Sequence, residues 1–189
     1  MTAPVLEFTD VTLRRGGRLL FEALSFTLRS GGGVHVTGPN GAGKSSLIRL
    51  AAGLLDAQFG TVSRAPLALS DEAVALDREL PLHRALAFWS GLSSSARLNS
   101  ALDALALGHL ADVPVRLLST GQMKRASFAR VAASAAPLWL LDEPLNGLDA
   151  QSVERVSALL SAHRSSGGAI LAASHVPLVG DWVRLELGA

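Results

Sequence analysis

The run Gly38-Pro39-Asn40-Gly41-Ala42-Gly43-Lys44-Ser45 constrains this chain more than any other feature, because it meets the pattern G-x-x-x-x-G-K-[ST] at every fixed position. Glycines at 38, 41 and 43 let the backbone turn tightly enough for successive N–H groups to face one anion. A helix following such a loop adds the positive end of its dipole. Lys44 is spaced to reach the β- and γ-phosphates of a nucleoside triphosphate, and the Ser45 hydroxyl to ligate Mg²⁺, with Ser46 next in the same turn. The apolar segment Val34-His35-Val36-Thr37 supplies the strand that must precede the loop. Ser46 to Gly53 supplies the helix that must follow, ending at a glycine. A strand, a phosphate-binding loop and a helix in that order commit the chain to an α/β fold of the P-loop NTPase class, with a nucleoside triphosphate and Mg²⁺ as the expected ligands.

Bulk properties narrow the field mainly by exclusion. A chain of 189 residues suits one domain with a real core and a small inserted lobe. The absence of cysteine excludes disulfides and thiolate metal sites. A net charge of +1, from 17 basic and 16 acidic residues, gives no electrostatic argument for a nucleic-acid partner, and none is expected. Pro4, Glu7 and Asp10 interrupt any N-terminal apolar core, so a cytoplasmic location is expected. Although 49% of residues are hydrophobic and the mean hydropathy is +0.34, no run approaches the roughly 18 to 20 apolar residues needed to cross a bilayer. Alanine and leucine in helices account for much of that excess, and a contact surface for some of it.

Along the chain, Val5 to Phe8 and the alternating Leu24 to Leu28 read as strands of a sheet with one wet face, separated by a turn at Arg14 to Arg18. Leu67 to Ser70 reads as a strand. From Pro81 to Ala106 the texture becomes helical, with Trp89 closing one apolar stripe and Ser93-Ser94-Ser95 separating a second helix. Leu138 to Leu141 is a continuous apolar run of the kind buried on both faces, 150 to 164 is helical, and Ala169 to Ala173 is a further buried strand. The alternating Trp182 to Leu187 would finish the sheet at an edge.

The strand at 138 to 141 ends in Asp142-Glu143-Pro144, which sets two carboxylates at its C-terminal edge, beside the loop in a P-loop fold. Asp142 is placed to hold Mg²⁺ through its water shell, and Glu143 to orient or deprotonate the attacking water. Leu118-Ser119-Thr120-Gly121-Gln122, taken alone, is an N-cap serine before a helix carrying Lys124, Arg125 and Arg130.

Between a P-loop and strand acids, that pentapeptide resembles the LSGGQ signature of ATP-binding cassette (ABC) ATPases, with Thr120 in place of the first glycine. Asn146-Gly147-Leu148-Asp149 is similar to the family's D-loop and His175 to its switch histidine, so the resemblance covers nearly the whole chain. It implies a RecA-like core, an N-terminal antiparallel β subdomain and a small helical insert. On that reading residues 1–189 form one ATP-binding domain, with the core at 1–75 and 117–189 and the helical subdomain at about 76–116. It also implies a homodimer in which each ATP lies between the P-loop of one copy and Ser119, Gly121 and Gln122 of the other, with Asp149 in the same interface.

Two positions depart from the family pattern. The ring that usually stacks on adenine has no counterpart in Arg14 to Arg18. Arg15 stands near that place, where its guanidinium can stack on a base or lie in a solvated turn. No glutamine occurs between Gln58 and Gln122 to serve as the Q-loop residue that contacts Mg²⁺. Glu72 is the candidate for that role, with Asp71 and Asp77 as alternatives.

The short length, Trp139 to Pro144 and His175-Val176-Pro177-Leu178 look like the ATP-binding subunit of the haem exporter of cytochrome c maturation, the CcmA family. That resemblance implies a peripheral subunit on the cytoplasmic face of the bacterial inner membrane, driving integral subunits of the CcmB and CcmC kind. Their docking surface would lie near Glu72 and the Phe88-Trp89 pair. Alternatives are the ATPase subunit of another small-substrate transporter, a soluble cassette ATPase acting on nucleic acid or ribosomes, and a non-enzymatic nucleotide-gated dimer. The second class usually has fused cassettes or basic arms, which are missing here, and the full set of Lys44, Asp142, Glu143 and His175 argues against the third.

Overall fold

A glycine pair makes the first turn of the chain. The computed structural model describes residues 3–71, 75–90 and 95–188, and in it β1 (Leu6–Arg15) turns at Gly16 and Gly17 into β2 (Arg18–Leu28). Both glycines have positive φ, 56° and 79°, as a two-residue hairpin turn demands. The turn is therefore narrower than the expected Arg14–Arg18 span. Arg14 and Arg15 lie in β1 and Arg18 in β2, because two glycines suffice to reverse a twisted ribbon. Both strands are also longer than their apolar patterns suggest, running past irregular pairing near Asp10 and Ala23, where φ is positive.

The chain continues through β3 (Gly33–Thr37) and α1 (Lys44–Ala52) to β4 (Phe59–Arg64), which completes an antiparallel sheet ordered β2-β1-β4. Sequence reading missed β4. Its only strong apolar residues are the exposed Phe59 and the half-buried Val62, so an edge strand hydrogen-bonded to β1 leaves little hydrophobic pattern. Then follow β5 (Leu67–Ser70), α2 (Leu82–Ser90), α3 (Ser95–Ala104), α4 (Thr120–Ala133), β6 (Leu138–Asp142), α5 (Ala150–Ser165), β7 (Ala169–Ala173) and β8 (Val183–Glu186). Short 3₁₀ turns at Gly108–Leu110 and Val115–Leu117 join α3 to α4.

The five strands β5-β6-β7-β3-β8 form a parallel sheet with β8 at its edge. Each face carries its own core, which is why β6 reads as an unbroken apolar run. Leu138 and Leu140 pack with α1 and the antiparallel sheet, whereas Trp139 and Leu141 pack with α4, α5 and the insert helices. Strand β7 divides the same way, Leu171 to the first core and Ile170 to the second. Burying each such leucine or isoleucine stabilises the fold by about 2 kcal/mol, so the central strands are its most secure part. The loops that follow these strands therefore spring from well-packed elements.

Candidate nucleotide site

Strands β6, β7 and β3 are adjacent and parallel, so their C-terminal ends deliver three loops to one place. The P-loop follows β3, Glu143 follows β6, and His175 follows β7 by two residues. A cavity of about 560 Å³ opens there, lined by Arg15, Leu20, Asn40, Gly41, Gly43, Lys44, Ser45, Ser46, Glu143, Asn146 and His175.

Gly38 begins the loop at φ 139°, and a Cβ there would stand 2.3 Å from the Leu187 carbonyl oxygen, so a side chain is excluded. Gly43 is the N-cap of α1 and supplies no side-chain hydrogen bond to the first turn. The leading N–H groups of α1 thus lack a side-chain cap and suit an anion. Lys44 is 7% exposed, and its Nζ donates to the carbonyls of Gly38 at 2.8 Å and Pro39 at 3.1 Å. An ammonium folded onto neutral carbonyls at the mouth of an anion-sized cavity fits a triphosphate better than any apolar ligand.

Of the residues expected to donate to Mg²⁺, Ser45 lines the cavity, whereas Asp142 ends β6 and is not among the lining residues. No group of three or more His, Cys, Asp or Glu suited to a metal occurs among the described residues. Two protein oxygens fit a Mg²⁺ ion that arrives with phosphate and water ligands, rather than one held in a dedicated cage. Glu72, the Q-loop candidate, lies outside the described residues, as do Ala73 and Val74.

Glu143 and His175 form a pair. The Glu143 carboxylate is 3.4 Å from His175 Nε2 through Oε1, and its Oε2 accepts from the His175 backbone N–H at 3.3 Å. The Glu143 backbone has φ 48°, a left-handed conformation unusual for a side-chain-bearing residue. Its N–H donates to the Ala173 carbonyl at 2.8 Å, and Lys124 Nζ donates to its carbonyl at 2.6 Å. Anchored at both ends of the residue, the strained backbone aims a carboxylate that is only 20% exposed toward the cavity.

Arg15 lies where its residue number suggests. Its Nη1 donates to Ser46 Oγ at 3.4 Å, which ties the hairpin to the P-loop. Sequence reasoning missed Leu20, which packs so close to Gly43 that a Cβ there would lie 3.2 Å from Leu20 Cβ. Its signal was position alone, in β2 three residues past the Gly16-Gly17 turn. Lys124 was noted only as a helix charge, and its contact with Glu143 has no sequence signature.

The remaining expected residues stand apart. Among the described residues, Ser119, Gly121, Gln122 and Asp149 do not line the cavity. Ser119 is the exposed N-cap of α4 and forms a capping box with Gln122: Gln122 N–H donates to Ser119 Oγ at 3.3 Å, and Ser119 N–H donates to Gln122 Oε1 at 2.8 Å. A Cβ on Gly121 would meet nothing within 4 Å, so the backbone there faces open space. Asp149 caps α5, accepting from Ser152 N–H at 2.7 Å, while Arg125 donates to Ser152 Oγ at 2.6 Å and links the two helix starts. The backbone and hydroxyl of Ser152 hold the Asp149 carboxyl below its ordinary value. Because the folded value is lowered, the stabilisation is present above the ordinary carboxylate range and is lost as pH falls through the lowered one.

The insert carries an exposed aromatic pair. Phe88 is 80% exposed and meets Trp89 edge-on at 5.4 Å, while the guanidinium of Arg130 on α4 lies 4.7 Å from the centre of the Trp89 ring. Arg130 also donates to the Leu69 carbonyl at the end of β5, and burial lowers its pKa while Asp71 raises it.

A sequence profile of the ABC transporter family matches residues 21–146. The chain is 55% identical over 177 residues to the cytochrome c biogenesis ATP-binding export protein CcmA of Novosphingobium aromaticivorans, covering 93% of this chain and 91% of that protein. It is 54% identical over 188 residues to the protein of the same name from Sphingopyxis alaskensis, covering 97% of each. Among solved structures, an ATP-binding subunit of an ABC transporter superposes with a TM-score of 0.87 at 24% identity, covering 98% of this chain and 88% of that one, a likeness of fold.

Proposed function

This chain belongs to the ABC transporter family, and within it to the CcmA-type ATP-binding export proteins of cytochrome c biogenesis, and we propose that it works as a homodimer that closes on ATP. It is an ATPase coupled to transport. Lys44 and the P-loop N–H groups hold the triphosphate, and Ser45 and Asp142 would hold Mg²⁺, which would supply neutralisation of phosphate charge. Glu143 takes a proton from the attacking water as its oxygen bonds to the γ-phosphorus and the bond to the bridging oxygen of ADP breaks. His175 orients the Glu143 carboxylate, and Arg15 and Leu20, which line the same cavity, are the residues available to the nucleobase.

The observation that carries the dimer reading is the division of the site. Chemistry-bearing groups gather at one cavity, while Ser119 to Gln122 present an ordered, exposed helix start elsewhere on the same chain. A helix start with open space over Gly121 suits the γ-phosphate of a second copy. Mixing tests it. Lys44→Ala and Ser119→Arg subunits are each expected to be inactive alone. Combined equally, they should recover about a quarter of wild-type turnover, because half of the dimers are mixed and each holds one intact site. A mixture no more active than its components would overturn the shared site.

No helix among the described residues is long and apolar enough to cross a membrane. Family membership favours translocation by separate integral subunits of the CcmB and CcmC kind, with this chain peripheral on the cytoplasmic face of the inner membrane. Haem handled during cytochrome c maturation is the cargo that family membership favours, and the membrane subunits are what recognise it. Phe88 offers the docking contact. Phe88→Ala is expected to leave basal ATP turnover within about twofold while weakening co-purification with the membrane subunits by about tenfold. Trp89→Ala is the poorer probe, since it strips the ring from the buried Arg130. Retention of full co-purification by Phe88→Ala would place docking elsewhere.

A further inference from the structure

His35, on β3, is not among the residues lining the P-loop cavity, yet it joins the contacts that aim the Glu143 carboxylate. Its Nε2 lies 3.0 Å from the Ser174 carbonyl oxygen. That carbonyl belongs to the peptide unit whose N–H is that of His175, and this N–H donates to Glu143 Oε2 at 3.3 Å. A carbonyl oxygen only accepts, so His35 Nε2 carries the proton and donates. One peptide unit is thus bonded at its oxygen by an imidazole and at its nitrogen by a carboxylate, and each bond polarises the amide in the sense that strengthens the other.

The surroundings leave this peptide little freedom. Ser174 is 1% exposed, and its N–H donates to the Val36 carbonyl at 3.2 Å. Its hydroxyl accepts from Val176 N–H at 3.0 Å and donates to the Val176 carbonyl at 2.9 Å. These bonds fix where Ser174 sits, and the His35 bond fixes how the plane that follows is turned. His35 and His175 also line a second cavity of about 510 Å³, together with Gly38 and Pro39.

We infer that His35 is a positioning residue for hydrolysis: by donating to the Ser174 carbonyl it orients the His175 peptide, and through that N–H the Glu143 carboxylate. This rests on the reading of Glu143 as general base. The role belongs to kcat, because the bond His35 makes runs to the Ser174 carbonyl, on the Glu143–His175 side of the site.

Basal ATP turnover and nucleotide affinity of the purified full chain test this in three variants. His35→Phe keeps a ring but loses the donor, and should lower kcat about tenfold with the Kd for ATP within about twofold. His35→Gln carries an N–H₂ at nearly the same reach and should recover kcat to within about threefold of wild type. Glu143→Gln serves as reference. Full turnover in Glu143→Gln would sink the base assignment itself. An inactive Glu143→Gln alongside a fully active His35→Phe, or a Gln variant as impaired as Phe, would sink the positioning role alone. Ring ¹⁵N shifts of His35 in the unaltered protein give a readout independent of variant folding. The Nε2-protonated tautomer is expected, and the Nδ1-protonated one would overturn the inference.

Discussion

Glu143→Gln is expected to lower steady-state ATP turnover by a factor of about 10² to 10⁴ while leaving ATP bound, and to hold the chain as a nucleotide-bound dimer. Glutamine has the length of glutamate and can keep the contact with the His175 N–H through its carbonyl oxygen, so the left-handed backbone at φ 48° and its anchors to Ala173 and Lys124 need not change. What disappears is the carboxylate that accepts the water proton. A dimer that closes because ATP binds its closed state better than its open one has no reason to open until that differential is removed. Phosphate release measured together with light scattering separates the outcomes. Lost turnover with an ATP-dependent doubling of mass supports both the base and the sandwich, whereas unaltered phosphate release would remove Glu143 from the mechanism.

Sequence spacing located most of the residues in this argument because a parallel sheet converts chain order into spatial order. The P-loop, Glu143 and His175 each follow an apolar strand, and once those strands are adjacent their C-terminal ends meet without further information. The two-sided burial of β6 was legible for the same reason, since four successive apolar residues leave no polar face to expose to water. The N-terminal sheet was less legible. Strand β4 owes its place to backbone pairing with β1 rather than to side-chain burial, and the arginines of the hairpin read as a turn because polar residues on an exposed ribbon look the same in either setting.

Contacts made by backbone atoms were invisible in the sequence. Lys124 reaches the Glu143 carbonyl and His35 reaches the Ser174 carbonyl, and a carbonyl has no residue identity for a motif to record. The signature segment shows the converse. Ser119 and Gln122 could be read as a capping box or as half of a phosphate site, and in the single chain they satisfy each other. Their mutual bonding keeps the helix start ordered in the single chain, which would lower the entropic cost of completing the proposed shared site with a second copy.

Lys44→Ala is expected to weaken ATP binding by roughly 30- to 150-fold, the equivalent of about 2 to 3 kcal/mol for losing a charge-assisted contact. The Lys44 ammonium already sits within the loop, bonded to the carbonyls of Gly38 and Pro39, so it has little side-chain freedom left to lose when it turns to phosphate. Anionic oxygens outbid neutral carbonyls for an ammonium, so the side chain exchanges partners rather than being recruited from solvent. Alanine suits the first turn of α1, and the two carbonyls it releases belong to Gly38 and Pro39, which line the open second cavity that water can enter, so the variant should remain folded. Titration with a fluorescent ATP analogue alongside far-UV circular dichroism gives both readings at once. Intact helicity with wild-type affinity would show that the backbone N–H groups hold the triphosphate without the lysine. Intact helicity with the expected loss would place the binding energy in Lys44, leaving Glu143→Gln to report on hydrolysis alone.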